Sequence, residues 1–228
     1  YLMLLSLSGA IDGKISDAAD ASKGSDWVCC AGDFGVWPDP ALATGDPGEF
    51  ALRYVGTSFE QLRVPILTIS GVHDDTKWLD RRVQMTDYAE VLPNVHYLRQ
   101  GFKTTIGSDA PCRVTGLGRA YSPSTYEGRY NRRSHRHYTR HDVERACASG
   151  PTDLLVIYEQ LDSPGIRNII YATRPKLILT NNFPNRVIHK EIQGIPVISL
   201  ARQEQAVVRF EGNVFYPEYL EKSVGILA

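Results

Sequence analysis

Trp27-Val28-Cys29-Cys30-Ala31-Gly32-Asp33-Phe34-Gly35 opens on an uncharged apolar run and breaks at Gly-Asp, which reads as a buried strand running into a turn. Similar runs stand on either side. Leu4–Ser8 leads into Gly9-Ala10-Ile11-Asp12-Gly13, Val64–Ser70 into Gly71-Val72-His73-Asp74-Asp75, Leu154–Ile157 into Tyr158-Glu159, and Lys176–Thr180 into Asn181-Asn182-Phe183-Pro184. Short β-branched runs that alternate with helical patterns predict an α/β fold. Strands are expected at Leu2–Ser8, Trp27–Ala31, Ile66–Ser70, Val95–Tyr97, Cys112–Gly116, Leu154–Tyr158, Lys176–Thr180, Arg186–Ile192, Pro196–Ala201 and Ala206–Phe210. Helices are expected at Ser16–Lys23, Glu49–Leu62, Thr139–Ala148 and Gly165–Thr173. The last four strands follow one another closely, with turns at Asn185 and Gln193-Gly194, and this predicts an antiparallel second sheet.

At 228 residues and 43% hydrophobic content, the chain suits a single domain spanning 1–228. A formal net charge of −1 gives no global pull toward nucleic acid or anionic membrane, so any such binding has to be local. Four cysteines, two of them neighbours in an apolar strand, do not form a disulfide framework and read as thiols of a cytoplasmic protein. No apolar run reaches the roughly 18 residues that a membrane span needs, so no membrane partner is expected. Tyr1–Leu7 has neither the basic leader nor the apolar length of a signal peptide.

In order and spacing, the five strand-and-turn blocks resemble the signatures of calcineurin-like metallophosphoesterases over Leu2 to Leu200. The resemblance implies a four-layer sandwich of two mixed β-sheets flanked by helices. It also places residues. Ala10 and Asp12 stand where that family has Asp and His; Asp33 stands at the carboxylate that bridges two metals. Val72 replaces a ligand Asn, and His73 matches a histidine that acts on the phosphate. Tyr158 replaces a ligand His, while Asn182 and Pro184 replace two more.

Two divalent cations held side by side need several carboxylate and imidazole ligands, and alanine, valine and proline offer none. No cofactor is therefore expected. Asp12, Asp33, Asp75, Tyr158 and Asn182 are the vestigial candidates, able at most to hold one hard divalent cation such as Mg²⁺, Mn²⁺ or Ca²⁺ through oxygen. Asp33 is otherwise expected to cap a turn in the old cleft. His73 is the one catalytic candidate, as a proton donor to a leaving group; its plainer role is a hydrogen-bonded loop residue beside Asp74 and Asp75.

Between Arg119 and Arg145 the chain carries 7 Arg and 3 His against 3 acidic residues, interleaved with tyrosines. That combination suits phosphate contacts with base stacking. Arg129, Arg132, Arg133, Arg136, His137 and Arg140 are the ligand-binding candidates, and at acid pH the histidines should add charge. The stretch Gly116-Leu117-Gly118-Arg119-Ala120-Tyr121-Ser122 resembles the lead-in to the basic insert of RNA lariat debranching enzymes, departing from it at Arg119. The alternative is a solvated turn before a helix capped by Thr139. Pro38–Gly48 reads as a solvated insertion or a lid, and Val214–Leu220 as a tail packed on the core.

Three functions follow from these readings. The first is a catalytically inactive or strongly impaired phosphoesterase-like scaffold that binds a protein partner, nucleic acid or a phosphorylated ligand through its basic loop. The second is a divergent metal-dependent phosphodiesterase or nuclease rebuilt at Asp12, Asp33 and Asp75. The third is a metal-free nucleotide-binding regulator.

Overall fold

The computed structural model describes residues 1–13, 19–20, 22–36, 62–181, 188–201 and 204–217, with backbone only at 188–190. Its strands are β1 (Leu2–Ser8), β2 (Trp27–Cys30), β3 (Ile66–Thr68), β4 (Tyr88–Leu92), β5 (Val95–Leu98), β6 (Lys103–Ile106), β7 (Cys112–Leu117), β8 (Leu154–Ile157), β9 (Leu177–Asn181), β10 (Ile188–Ile192), β11 (Ile195–Leu200), β12 (Gln205–Glu211) and β13 (Val214–Pro217). Helices are α1 (Thr76–Arg82), α2 (Pro123–Tyr126), α3 (Arg140–Ala148) and α4 (Ile166–Thr173), with a 3₁₀ turn at Ser134–Arg136. One sheet runs β13-β12-β1-β2-β3-β5-β4 and the other β10-β11-β9-β8-β7-β6. The chain is thus an α/β sandwich of two mixed sheets flanked by helices, as the resemblance implies. Among the described residues no helix is long and apolar enough to cross a membrane.

Strand alternation explains the layering. In β1, Met3, Leu5 and Leu7 enter the core between the sheets, where they meet Val114, Val156, Leu179 and Ile198 from the second sheet. A second cluster, with Val28, Cys30, Ile66 and Tyr97, lies on the other face of the first sheet against Leu79 of α1. A third joins the second sheet to Val143 of α3 and Ile166, Ile169 and Ile170 of α4. Because successive strand residues point to opposite faces, both faces of these central strands are apolar, which is the pattern of a sheet covered on both sides.

One expectation is corrected. The last four strands do not share an antiparallel sheet. β11 runs parallel to β9 and pairs antiparallel only with β10, while β12 crosses to the first sheet and pairs antiparallel along all of β1, from Leu2↔Glu211 to Ser8↔Gln205. Ala206, Val208 and Phe210 of β12 thereby enter the inter-sheet core. The expected tail does pack on the core at its start, as a strand: β13 pairs with β12, and Phe215 packs on Phe210 with ring centroids 4.7 Å apart.

The turn at Gln193-Gly194 forms as expected, with φ of 54° and 76°. Helix α3 begins where Thr139 predicts, on a capping box: Asp142 N–H donates to Thr139 Oγ1 at 3.2 Å, and Thr139 N–H to Asp142 Oδ2 at 2.9 Å. Of the helix expected over Ser16–Lys23, Ala19 and Asp20 are helical. The Glu49–Leu62 helix up to position 61, the Pro38–Gly48 loop, the Asn185 turn, and Asn182 and Pro184 lie outside the described residues.

Candidate functional site

The site is built where the parallel strands end. Leu7, Ala31, Ile69, Val156 and Leu179 are the last core residues on the inner faces of their strand segments. Two positions further on stand Gly9, Asp33, Gly71, Tyr158 and Asn181, all but Asn181 just past their strands, and Gly71 and Tyr158 close around Gly32 and Asp33. Gly9 marks how closely the sheets approach, since a Cβ there would lie 2.1 Å from the Ala201 carbonyl oxygen.

Asp33 is the centre. It is fully buried and takes a left-handed φ of 48°. Its carbonyl accepts from Asp12 N–H at 2.8 Å, lacing the first two turns together. Its side chain joins the two sheets: His73 N–H donates to Oδ1 at 2.8 Å, and the Tyr158 hydroxyl donates to Oδ2 at 2.7 Å. Gly71 lies directly against it, for a Cβ on Gly71 would sit 2.0 Å from Asp33 Oδ1.

Asp74 is the second buried carboxylate of this end. Oδ1 accepts from Gly35 and Val36 N–H at 2.7 and 3.0 Å, and Oδ2 from Gly71 N–H at 2.8 Å. Burial raises the pKa of both acids. For Asp33, burial acts first and the charges of Asp74 and Asp12 add to it, bringing the carboxyl up to about 7. For Asp74, the backbone N–H groups oppose burial without cancelling it. Asp74 has the richer donor set, so the negative charge of the pair rests best there and the proton on Asp33.

Of the residues singled out in the sequence, Asp12, Asp33 and Tyr158 come together. Asp12 is buried and its charge acts on Asp33. Asp75 does not join them: it is the N-cap of α1, with Oδ1 accepting from Trp78 N–H at 3.1 Å. His73 reaches Asp33 through its backbone. Sequence reasoning passed over Asp74, although it stands in the same turn block, because nothing in two adjacent aspartates says which one faces inward.

The metal centre of the implied family can be tested against these donors. Ala10 and Val72 coordinate nothing, both Asp33 oxygens are engaged, Asp74 is spent on backbone N–H groups, and Tyr158 fills the space beside Asp33 with a phenol. Among the described residues no group of three or more His, Cys, Asp or Glu is placed to hold a metal ion. The donors among the described residues do not fit a dinuclear centre.

The basic segment borders this end. Thr76 Oγ1 donates to the His135 carbonyl at 2.9 Å, which packs the 3₁₀ turn on α1, and Tyr121 N–H donates to Glu159 Oε2 at 2.6 Å, next to Tyr158. Arg119 is buried and paired with Asp80, and Arg129 pairs with Glu127. Arg140 lies over the Tyr126 ring at 5.5 Å. Arg132 and Arg133 are exposed. Tyr121, Tyr126 and Tyr138 pack on one another at 5.7–6.0 Å between ring centroids, Tyr138 buried and the other two half-buried, whereas Tyr130 is 69% exposed. Burial also lowers the pKa of His135 and His137, against the expectation that they charge readily.

Two mixed sheets with a site at the ends of their parallel strands define an α/β sandwich fold that solved structures share. The chain is similar to the crystal structure of TT1561 of Thermus thermophilus, at TM-score 0.61 and 12% identity over 96% of this chain and 100% of that one. It also matches sulfate thiohydrolase SoxB of Thermus thermophilus in complex with glycerol (TM-score 0.46, 14% identity, 87% of this chain and 38% of that one). A predicted phosphoesterase from Streptococcus pneumoniae TIGR4 matches at TM-score 0.42 and 8% identity, over 92% of this chain and 84% of that one. The first of these carries the likeness of fold. No family model and no curated protein matches the chain.

Proposed function

We propose that this protein has exchanged metal-dependent hydrolysis for binding: a catalytically inactive phosphoesterase-like scaffold whose basic segment, Arg129–Arg140, takes a phosphorylated or nucleic-acid ligand. The observation that carries the reading is the 2.7 Å hydrogen bond from the Tyr158 hydroxyl to Asp33 Oδ2. A carboxylate that bridges two cations needs both oxygens for them; here one faces a phenol and the other a backbone N–H. In place of a cation the Asp33 carboxyl has two hydrogen bonds, and burial raises its pKa so that a proton can take up the charge; this arrangement supplies no cation to polarise a phosphate.

The basic segment is the surface that remains suited to an anion. Arg132 and Arg133 follow a turn fixed by Asn131, whose Oδ1 accepts from Arg133 N–H at 2.8 Å, while Asn131 N–H donates to Ser134 Oγ at 2.7 Å. A turn ordered before its ligand arrives loses less entropy on binding. The test is metal content before and after incubation with Mn²⁺, run beside hydrolysis of an activated phosphodiester. No turnover is expected. Turnover that needs Mn²⁺ and vanishes in Asp33→Ala would overturn the reading.

A further inference from the structure

We propose that the seam between the 3₁₀ turn and α1 is a phosphoryl site built from two segments, Lys77 on one side and Arg132, His135 and Arg136 on the other. This rests on the basic segment being the anion-binding face, and it adds a residue more than 50 positions away that no charge run in the sequence marks.

The geometry begins with Thr76, whose hydroxyl donates to the His135 carbonyl at 2.9 Å and brings the start of α1 against the turn. Lys77 is the next residue and is exposed. On the facing side, His135 Nδ1 lies 2.9 Å from the Arg132 carbonyl oxygen. A carbonyl only accepts, so Nδ1 carries a proton, and Nε2 donates to a phosphoryl oxygen only when the ring is the imidazolium, the form that a bound anion favours. Once burial is counted, the charges of Lys77, Arg136 and Arg119 all bear on His135, which shows that cations from separate segments converge there. Arg119 is already matched by Asp80, and the nearby carboxylate of Asp75 is turned to Trp78 N–H. Among the described residues neither Lys77 nor Arg132 makes an ion pair with an acidic side chain.

Converging cations repel one another unless an anion sits between them. A phosphoryl group offers several acceptor oxygens to an ammonium, a guanidinium and an imidazolium together, and charge-assisted bonds of this kind are the stronger class. Such a group can be the terminal phosphate of a free nucleotide or a phosphodiester of single-stranded nucleic acid. Both offer the same oxygens.

Titration calorimetry of the full chain with three probes tests the inference: pyrophosphate, ADP, and an oligothymidylate lacking a terminal phosphate. Binding of at least one is expected, weakened about tenfold in Lys77→Gln, as for the loss of one charge-assisted contact, and restored in Lys77→Arg. Preference for ADP over the oligonucleotide assigns a nucleotide source, and the reverse a nucleic-acid source. Wild-type affinity in Lys77→Gln, with binding lost in Arg132→Gln, would overturn the two-segment site while leaving the basic segment as the anion-binding face. No binding of any probe would overturn both.

Discussion

Replacing Asp33 by Asn should stabilise this protein, and the gain should grow with pH. The folded pKa of Asp33 is raised from 3.8 to about 7, burial being the main cause. A raised acid contributes stability that is complete below about pH 3.8 and is lost as pH rises through about 7, because the folded state binds the proton more tightly. A shift of roughly three units bounds the penalty at ~4 kcal/mol near pH 8. Asp74 shares the electrostatic part, so we expect about half of that, ~2 kcal/mol. Asn preserves the geometry: Oδ1 still accepts from His73 N–H, and the amide can donate to the Tyr158 oxygen. In a chain of this size ~2 kcal/mol is a rise in Tm of about 4–8 °C. Thermal unfolding in EDTA at pH 5 and pH 8 measures it. A variant that is less stable at both values by the same amount would refute the argument. A Tm gain on adding Mn²⁺, seen in wild type and absent from Asp33→Asn, would show that the carboxylate serves a cation.

The other predictions probe neighbouring contacts. Tyr158→Phe removes the donor to Asp33 and should cost about 1–3 kcal/mol at pH 8; the cost should shrink in an Asp33→Asn background, and a double-mutant cycle by urea denaturation reads this coupling. Asp153, its side chain 1% exposed, is raised by burial, but hydrogen bonds from Arg113 and Lys176 prevail and hold it down at about 2. Its contribution is present above about pH 3.8 and lost as pH falls through about 2, so Asp153→Asn should cost ~2 kcal/mol at pH 7 and little at pH 2, as measured by denaturation at both values. Thr139→Ala opens the capping box of α3 and should lower stability by ~1 kcal/mol, or about 2–4 °C in Tm.

Much of the fold was legible because the central strands are apolar on both faces. The edges were not. Lys103-Thr104-Thr105-Ile106 and Tyr88-Ala89-Glu90-Val91-Leu92 form β6 and β4, each paired on one side only, and their mixed composition resembles that of a loop. Sequence proximity also misplaced β12, because which sheet a strand joins is decided by packing across the whole molecule: Ala206, Val208 and Phe210 complete the core over β1. At the site, the missing metal ligands were readable at Ala10, Val72 and Tyr158, since those side chains are defined without coordinates. The partner that Tyr158 takes instead was not readable, since Asp33 lies 125 positions away. The interleaved tyrosines were ambiguous for a related reason: a stacking platform and an internal aromatic support share one sequence pattern, and only the structure separates the exposed Tyr130 from Tyr121, Tyr126 and Tyr138, which pack on one another.

The pairing of β1 with β12 has a consequence for how the molecule is made. Leu2–Ser8 leaves the ribosome long before its partner Gln205–Glu211, which follows about 200 residues later, as the Ser6–Gln205 hydrogen bond spans 199 positions. Through most of synthesis β1 therefore waits with an open backbone edge, carrying Met3, Leu5 and Leu7. Chains stalled or cut before residue 205 would hold that edge open, and they are the species that aggregate or need a chaperone to cover them.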